Sequence, residues 1–245
     1  MQTIDEHIEF VENNKQCSYF DNEISDIRYK FMQYCSESEY QGMLEHGWRR
    51  FGKMHFVPEC GACTKCISMR IDVKNYVFSK SEKRVINKNK DTKVYIQTPS
   101  LSIEHLALYD KYHEFMHQKK NWNYTPIEPM EYQRSYVQGK STYAKEILYC
   151  VDDKLVGVAL SDILGNAISS IYCFYDHDYS HLSLGKYSIL AQIKIAKEMN
   201  IEYIYLGYWI KDHYSMGYKK SYTPFEILKN RVPLNQKTIW EPYEV

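Results

Sequence analysis

The chain has 245 residues, enough for one large domain or two small ones, each with its own core. Its 31 Lys and Arg balance 31 Asp and Glu, so the formal net charge is zero and contact with nucleic acid needs local clusters of cations. The odd number of cysteines, seven, argues against the disulfide framework of a secreted protein. The sequence shows no signal peptide and no apolar run of the ~20 residues that a membrane span needs. We therefore expect a cytoplasmic protein.

Residues 1–95 are expected to form a smaller N-terminal domain, because they hold closely spaced cysteines and a basic stretch. A turn signal follows at residues 97–100, and residues 100–245 are expected to form the C-terminal domain. This region begins with apolar residues at helical spacing from Ile103 to His117, with Ser100 or Ser102 as the N-cap. A second, short helix is predicted from Met130 to Gly139.

From Ala144 onward the hydrophobic period becomes that of strands. Residues 147–151 and 155–160 flank a turn and predict a β-hairpin. A strand at 167–175, a helix at 184–199 and a buried strand at 201–210 follow. This order is the plan of an N-acetyltransferase domain, so the expected fold class is α+β: an N-acetyltransferase-like (GNAT) C-terminal domain with a smaller cysteine-containing N-terminal domain.

Three cysteines, Cys60, Cys63 and Cys66, have the spacing C-x2-C-x2-C. In ferredoxins this spacing supplies three thiolate ligands to an iron–sulfur cluster, and a further cysteine completes the set. Here Arg70 stands at the next ferredoxin position, so a fourth ligand must be remote. Zinc bound by cysteines is an alternative, and reduced thiols packed around a turn are another. The spacing favours a metal site, with iron–sulfur and zinc both open.

Between residues 80 and 93 six cations face only Glu82 and Asp91, a local charge of +4. Such a stretch is either a solvated helix face or a surface for phosphate groups. Interleaved Ser and Asn side chains add hydrogen-bonding groups suited to phosphate and ribose.

Four motifs occur in a defined order along the chain: Cys17-Ser-Tyr19, Gly47-Trp-Arg-Arg-Phe-Gly52, the three-cysteine motif and Tyr205-Leu-Gly-Tyr-Trp-Ile210. In this order the sequence resembles the aminoacyl-tRNA:protein transferases of the N-degron pathway. It is most similar to their bacterial branch, the aspartate/glutamate leucyltransferases, and more distantly similar to the eukaryotic arginyl-tRNA–protein transferases. The resemblance covers residues of about 17–90 and 170–226, which is most of the chain.

The resemblance implies an enzyme that transfers leucine from leucyl-tRNA to the N-terminal Asp or Glu of an acceptor protein, which marks that protein for degradation. Transfer of arginine is the alternative within the same family. The resemblance also implies Cys17 as the fourth metal ligand, although the eukaryotic relatives carry a C-x2-C pair where this chain has Cys17-Ser-Tyr-Phe20. Finally, it favours tRNA backbone contact for the basic stretch, through Lys80, Lys83, Arg84, Lys88 and Lys90.

Three arginines are candidates for recognising the acceptor. A guanidinium binds a carboxylate through two parallel hydrogen bonds, so Arg49, Arg50 or Arg70 is suited to the acidic side chain of the acceptor's first residue. The alternative is a structural cation stacked on Trp48.

The transfer centre is expected around the helix that begins after residue 182. Coenzyme A binding requires Q/R-x-x-G-x-G/A there, whereas this chain has Leu182 and Tyr187 at two required positions, which disfavours a small-molecule N-acyltransferase. An aminoacyl ester is already activated, so positioning and oxyanion stabilisation suffice. Asp176 is the candidate to orient or deprotonate the amine, with amides near Gly185. The candidate pocket residues are Tyr205, Tyr208, Trp209, Met216, Tyr218 and Lys219. A noncatalytic module that binds metal and RNA is the remaining alternative.

Overall fold

The computed structural model describes residues 7–139 and 142–243. A four-stranded antiparallel sheet in the order β1-β2-β4-β3 opens the chain and consists of β1 (His7–Gln16), β2 (Ile24–Met32), β3 (Arg49–Phe51) and β4 (Met54–Pro58). One helix, α1 (Glu37–Glu45), packs on this sheet. Ser36 and Glu39 form a capping box at its N-terminus, which satisfies two free backbone amides and fixes where the helix begins.

The larger sheet has eight strands in the order β12-β11-β5-β10-β9-β8-β7-β6. All pairs are antiparallel except β9 with β10. The strands are β5 (Ile67–Asp72), β6 (Lys93–Gln97), β7 (Ala144–Val151), β8 (Lys154–Ile163), β9 (Ala167–Tyr175), β10 (Tyr203–Trp209), β11 (Phe225–Leu228) and β12 (Trp240–Pro242). The predicted hairpin and the strands at 167–175 and 201–210 are thereby confirmed.

The other helices are α2 (Lys80–Lys88), α3 (Ile103–Lys120), α4 (Pro129–Tyr132) and α5 (Leu184–Glu198). Ser102 caps α3, as one of the two predicted caps. The helix predicted at 130–139 is shorter, since α4 passes into a π-helical turn at Gln133–Val137. In the described part of the chain, no helix combines the length and apolarity that crossing a membrane requires.

The eight-stranded sheet is covered on both faces. On one face α5 packs on Met69, Ile168 and Ile204, and Val85 and Ile86 of α2 join the same core. On the other face α3 packs on Val158, Leu160 and Phe174, and α1 packs near Ala167 and Tyr205. The small sheet lies on this second face as well, and α2 therefore lies on the opposite side of the large sheet from it.

The first 97 residues contribute to both sheets. Strand β5 lies between β10 and β11 near the middle of the large sheet, and β6 forms its edge beside β7. The predicted division at residues 95–100 therefore does not coincide with the division between the sheets, because long-range pairing of β5 cannot be read from local sequence patterns.

Candidate functional site

The parallel strands β9 and β10 separate after a short paired segment. Residues 203–205 pair with 167–169, and beyond them both strands have irregular register with their outer neighbours, at residues 170–172 of β9 and 205–207 of β10. Gly207 has φ of +77°, a left-handed conformation that favours glycine. The result is a gap between two central strands beyond residues 169 and 205.

Arg49 fills the start of this gap. Its guanidinium Nη2 donates to the carbonyl oxygens of Ser170 at 2.5 Å and Tyr205 at 3.4 Å, one on each strand. A Cβ atom at residue 207 would lie 3.4 Å from Arg49 Nε, so glycine leaves the space that this side chain occupies. Arg49 is 8% exposed, yet its Nη1 has no hydrogen-bond partner among the described residues.

Two further cations lie near Arg49, one at the backbone of Tyr208 and one at its ring. Lys219 Nζ donates to the carbonyl oxygen of Tyr208 at 2.7 Å, and the Arg231 guanidinium carbon lies 5.4 Å from the centre of the Tyr208 ring. Burial and the charge of Arg49 lower the pKa of Lys219 from 10.5 to about 7. We call Arg49, Lys219 and Arg231 the cation cluster.

The cation cluster has no acidic partner. Within residues 7–139 and 142–243, none of its three members forms an ion pair, and all of them donate to backbone carbonyls, Arg231 to that of Cys66. Arg231 Nε, like Arg49 Nη1, is buried without a partner. Burying charge without compensation is costly. The arrangement therefore suits an anionic group that supplies the missing acceptors.

The other two predicted arginines already have carboxylate partners. Arg50 is 5% exposed, pairs with the buried Asp162 through two hydrogen bonds, and lies 5.5 Å from the centre of each of the rings of Tyr40 and Tyr143. Arg70 pairs with Glu226 at 2.6 Å and lies 3.7 Å from the centre of the Tyr203 ring. Their guanidinium groups are engaged within the protein, so Arg49 is the strongest of the three candidates for an external carboxylate.

The cysteines predicted as ligands lie in one region. Burial raises the pKa of Cys66 to about 11; Arg231 opposes this, and the charges of Cys17, Cys60 and Cys63 add to it. All four are free thiols that are partly exposed. However, no three Cys, His, Asp or Glu side chains in the described part are arranged to hold a metal ion. As placed here the thiols do not form a metal centre, and we derive no chemical step through one.

The basic stretch forms α2 and its C-terminal turn. Its predicted tRNA contacts, Lys80, Lys83, Arg84, Lys88 and Lys90, are all exposed, and none has an ion-pair partner among the described residues. The opposite side of the helix carries the buried Glu82, which accepts a hydrogen bond from Tyr76. The helix therefore presents an unneutralised cationic face to solvent.

Asp176 and Gly185 have structural contacts. The Asp176 carboxylate forms ion pairs with Lys111 at 2.7 Å and Lys154 at 3.4 Å and accepts from the amide of Asp178. Burial opposes its ionisation, but the hydrogen bonds from Lys111 and Asp178 outweigh burial and lower its pKa. At Gly185 a Cβ atom would lie 2.9 Å from the Tyr175 ring. Through these contacts Asp176 stabilises the turn that follows β9.

The remaining pocket candidates are dispersed. Tyr205 accepts a hydrogen bond from Arg70, and Trp209 is buried against Phe225 and Tyr243. Met216 is partly buried and precedes a short 3-10 helix, and Tyr218 is 54% exposed. Sequence reasoning missed Arg231, because a single arginine in the tail has no motif; the glycine at 207, inside an apolar strand, was the available signal for the gap.

Comparisons with known proteins find similar sequences over most of the chain and one similar fold. The model of the N terminus of arginine-tRNA-protein transferase matches residues 15–84, and that of the C terminus matches residues 104–229. The chain is 46% identical to the aspartate/glutamate leucyltransferase of Helicobacter hepaticus, covering 96% of this chain and 98% of that protein. It is 50% identical to the enzyme of the same name from a Campylobacter jejuni strain, covering 92% and 95%. A crystal structure of FemX has a similar fold, with a TM-score of 0.51 at 9% identity over 88% of this chain and 84% of that one.

Proposed function

Because this chain belongs to the arginine-tRNA-protein transferase family, we propose that it transfers leucine from leucyl-tRNA to the N-terminal Asp or Glu of acceptor proteins. The name of its bacterial relatives supports leucine as the transferred group and Asp or Glu as the acceptor. In this proposal it acts in the cytoplasm, where charged tRNA and newly exposed N-termini are both present, and its product is a degradation signal.

The single observation that carries the acceptor assignment is the cation cluster. Arg49 has a free Nη1, Arg231 has a free Nε, and neither faces a carboxylate in the described part of the chain. A carboxylate accepts two parallel hydrogen bonds from a guanidinium, and it also neutralises buried charge. The side chain of an N-terminal Asp or Glu meets both needs, whereas the amide of Asn or Gln meets neither.

The chemistry then requires little from the protein. The neutral α-amine of the acceptor attacks the ester carbonyl carbon of leucyl-tRNA and forms the new C–N bond. The C–O bond to the terminal ribose breaks, and the ribose oxygen takes up the proton that the amine loses. Lys219, with a pKa of about 7, is suited to carry that proton.

The fold that we propose for this chemistry is N-acetyltransferase-like. Support comes from the separated parallel pair β9 and β10 and from α5, which begins shortly after β9 and packs against both strands. The broken coenzyme A motif is consistent with another acyl carrier: Leu182 and Tyr187 are both buried, and Tyr187 packs against Tyr149. The free cationic face of α2 supports tRNA as that carrier.

The test is incubation with a mixed pool of charged tRNA and four matched peptides that begin with Asp, Glu, Asn or Gln. We expect leucine on the Asp and Glu peptides alone, identified by product mass. Equal reaction of the amide peptides would rule out the cation cluster as a carboxylate reader. Arginine on the products would show that arginyl-tRNA, and not leucyl-tRNA, is the donor. Transfer from an acyl-coenzyme A without tRNA would overturn the proposal.

A further inference from the structure

One face of the small sheet carries a row of aromatic rings. Register places Phe10 of β1 opposite Tyr29 of β2, Tyr29 opposite Phe56 of β4, and Phe56 opposite Arg49 of β3. Directly paired residues share a face of a sheet, so these side chains lie on the same side, together with Phe51. We call Phe10, Tyr29, Phe56 and Phe51 the ring row.

The rings contact one another in sequence across the sheet. Centres are 5.3 Å apart for Phe10 and Tyr29, 6.4 Å for Tyr29 and Phe56, and 5.6 Å for Phe56 and Phe51. Phe10 is 45% exposed and Phe51 is 39% exposed. The opposite face of the sheet holds Met32 and Val57 in the core under α1. The ring row therefore lies on the face of the small sheet that does not form the core under α1.

The ring row leads directly to the cation cluster. Arg49 is the neighbour of Phe56 on the same face, and the ring of Tyr208, which lies beside Arg231 of the cation cluster, is 6.5 Å from that of Phe56. A chain whose first residue is held by Arg49 therefore meets the ring row next. With strands about 4.8 Å apart, the row from β3 to β1 spans about 14 Å, the length of about four extended residues.

The charges favour a polypeptide over RNA as the occupant. Single-stranded RNA needs cations beside its stacked bases. Between Phe10 and Arg49 the strand positions on this face are aromatic or apolar, and at the far end Glu12 and Lys15 neutralise each other at 3.3 Å. Arg28 projects to the other face and is paired with Glu9 and Glu59. The exposed cations of α2 lie on the opposite side of the large sheet, so donor and acceptor approach from different sides.

We propose that the ring row binds the acceptor protein's N-terminal segment, contacting about four residues that follow the first Asp or Glu. This inference rests on the proposed function, since it extends the acceptor site beyond the first residue. Rings contact main chain and aliphatic side-chain stems with little demand on side-chain identity, so they suit an enzyme whose acceptors share only their first residue.

The experiment measures kcat/KM for Asp-initiated peptides of two, three, four, five and seven residues at saturating leucyl-tRNA. In the wild type we expect kcat/KM to rise with length up to about five residues and then to level off. Phe10→Ser removes the outermost ring, which contacts only Tyr29 in the row, and should lower kcat/KM about fivefold for the five- and seven-residue peptides, or about 1 kcal/mol. The dipeptide, which does not reach Phe10, should react as in the wild type.

Val77→Ser is the matched control, because Val77 is 78% exposed and lies between β5 and α2. It should leave the length dependence unchanged, whereas Phe51→Ser should reduce the gain already at three or four residues. A wild type that modifies all lengths equally would refute the inference and leave the proposed function intact. A rise in the KM for leucyl-tRNA in Phe10→Ser, with unchanged peptide kinetics, would assign the face to RNA instead. A wild type that modifies no Asp peptide would refute the proposed function itself.

Discussion

Lys219 holds a charge at a site that disfavours it, and removing the amine should reveal the cost. A pKa lowered from 10.5 to about 7 means that, below pH 7, the buried ammonium reduces the free energy of unfolding by about 5 kcal/mol. This follows from about 1.36 kcal/mol per pKa unit. Lys219→Met removes this cost but leaves the Tyr208 carbonyl without its donor, which costs about 1–3 kcal/mol. At pH 6 the variant should therefore be more stable than the wild type by about 2–4 kcal/mol.

The direction in which stability changes with pH follows from proton binding by Lys219 in the folded and unfolded states. Between pH 7 and 10.5 the unfolded chain binds the Lys219 proton more strongly than the folded protein does, so wild-type stability rises with pH through this window. The advantage of Lys219→Met should shrink by about 3 kcal/mol from pH 6 to pH 9. Urea unfolding of both proteins at pH 6, 7, 8 and 9 measures this difference. An advantage that is constant across the series would show that Lys219 does not titrate near neutrality, and the reasoning would be wrong.

The remaining predictions concern the three other groups of charged or thiol side chains. Arg49→Lys should raise the KM for an Asp peptide about 10- to 100-fold, because lysine cannot reproduce the two parallel hydrogen bonds. Arg50→Lys should instead lower the melting temperature, because it weakens the pair with Asp162, and should leave that KM unchanged. The reverse pattern would show that Arg50, and not Arg49, binds the acceptor. Replacing Lys83, Arg84, Lys88 and Lys90 by Ala should flatten the plot of the log tRNA-binding constant against log salt concentration. The slope should fall by about 0.7–0.9 for each tRNA phosphate that these side chains neutralise, and leucine selectivity should not change. An unaltered slope would identify α2 as a solvated surface. The cysteine spacing predicts iron or zinc in protein purified without oxygen, whereas the thiols as placed in the described part of the chain form no metal centre, and elemental analysis decides between the two. Metal that is absent from Cys60→Ser but retained in Cys150→Ser would support the sequence prediction, and wild-type protein free of metal would refute it.

The sequence predicted well those parts of the fold whose signals are local. The hairpin of β7 and β8, strand β9 and helix α5 each have a hydrophobic period that decides between strand and helix within a few residues. Helix α2 was recognised only as a run of cations, since its few apolar residues form a narrow face.

The sequence names three arginines as candidates for binding the acceptor, but it cannot decide between them. Arg49 and Arg50 are adjacent and chemically identical, and which of them is free depends on Asp162, a residue more than a hundred positions away. Neighbouring residues of a strand point to opposite faces, so one arginine enters the gap between β9 and β10 and the other enters the core. Arg231 joins the site only because the tail after β11 passes Cys66. Such coincidences in space have no counterpart in local sequence.

The position of β5 has a consequence for how the protein is made. Met69 and Ile71 are fully buried, and their strand pairs with β10 and β11. A ribosome adds residues from the N-terminus at ~5–20 per second, so roughly 7–26 s pass between the emergence of Asp72 and that of Tyr203. During this time the apolar strand β5 is part of the nascent chain but cannot pair with β10 or β11, which have not yet emerged. Pauses in translation between these two positions should thus increase aggregation, while pauses after residue 228 should not.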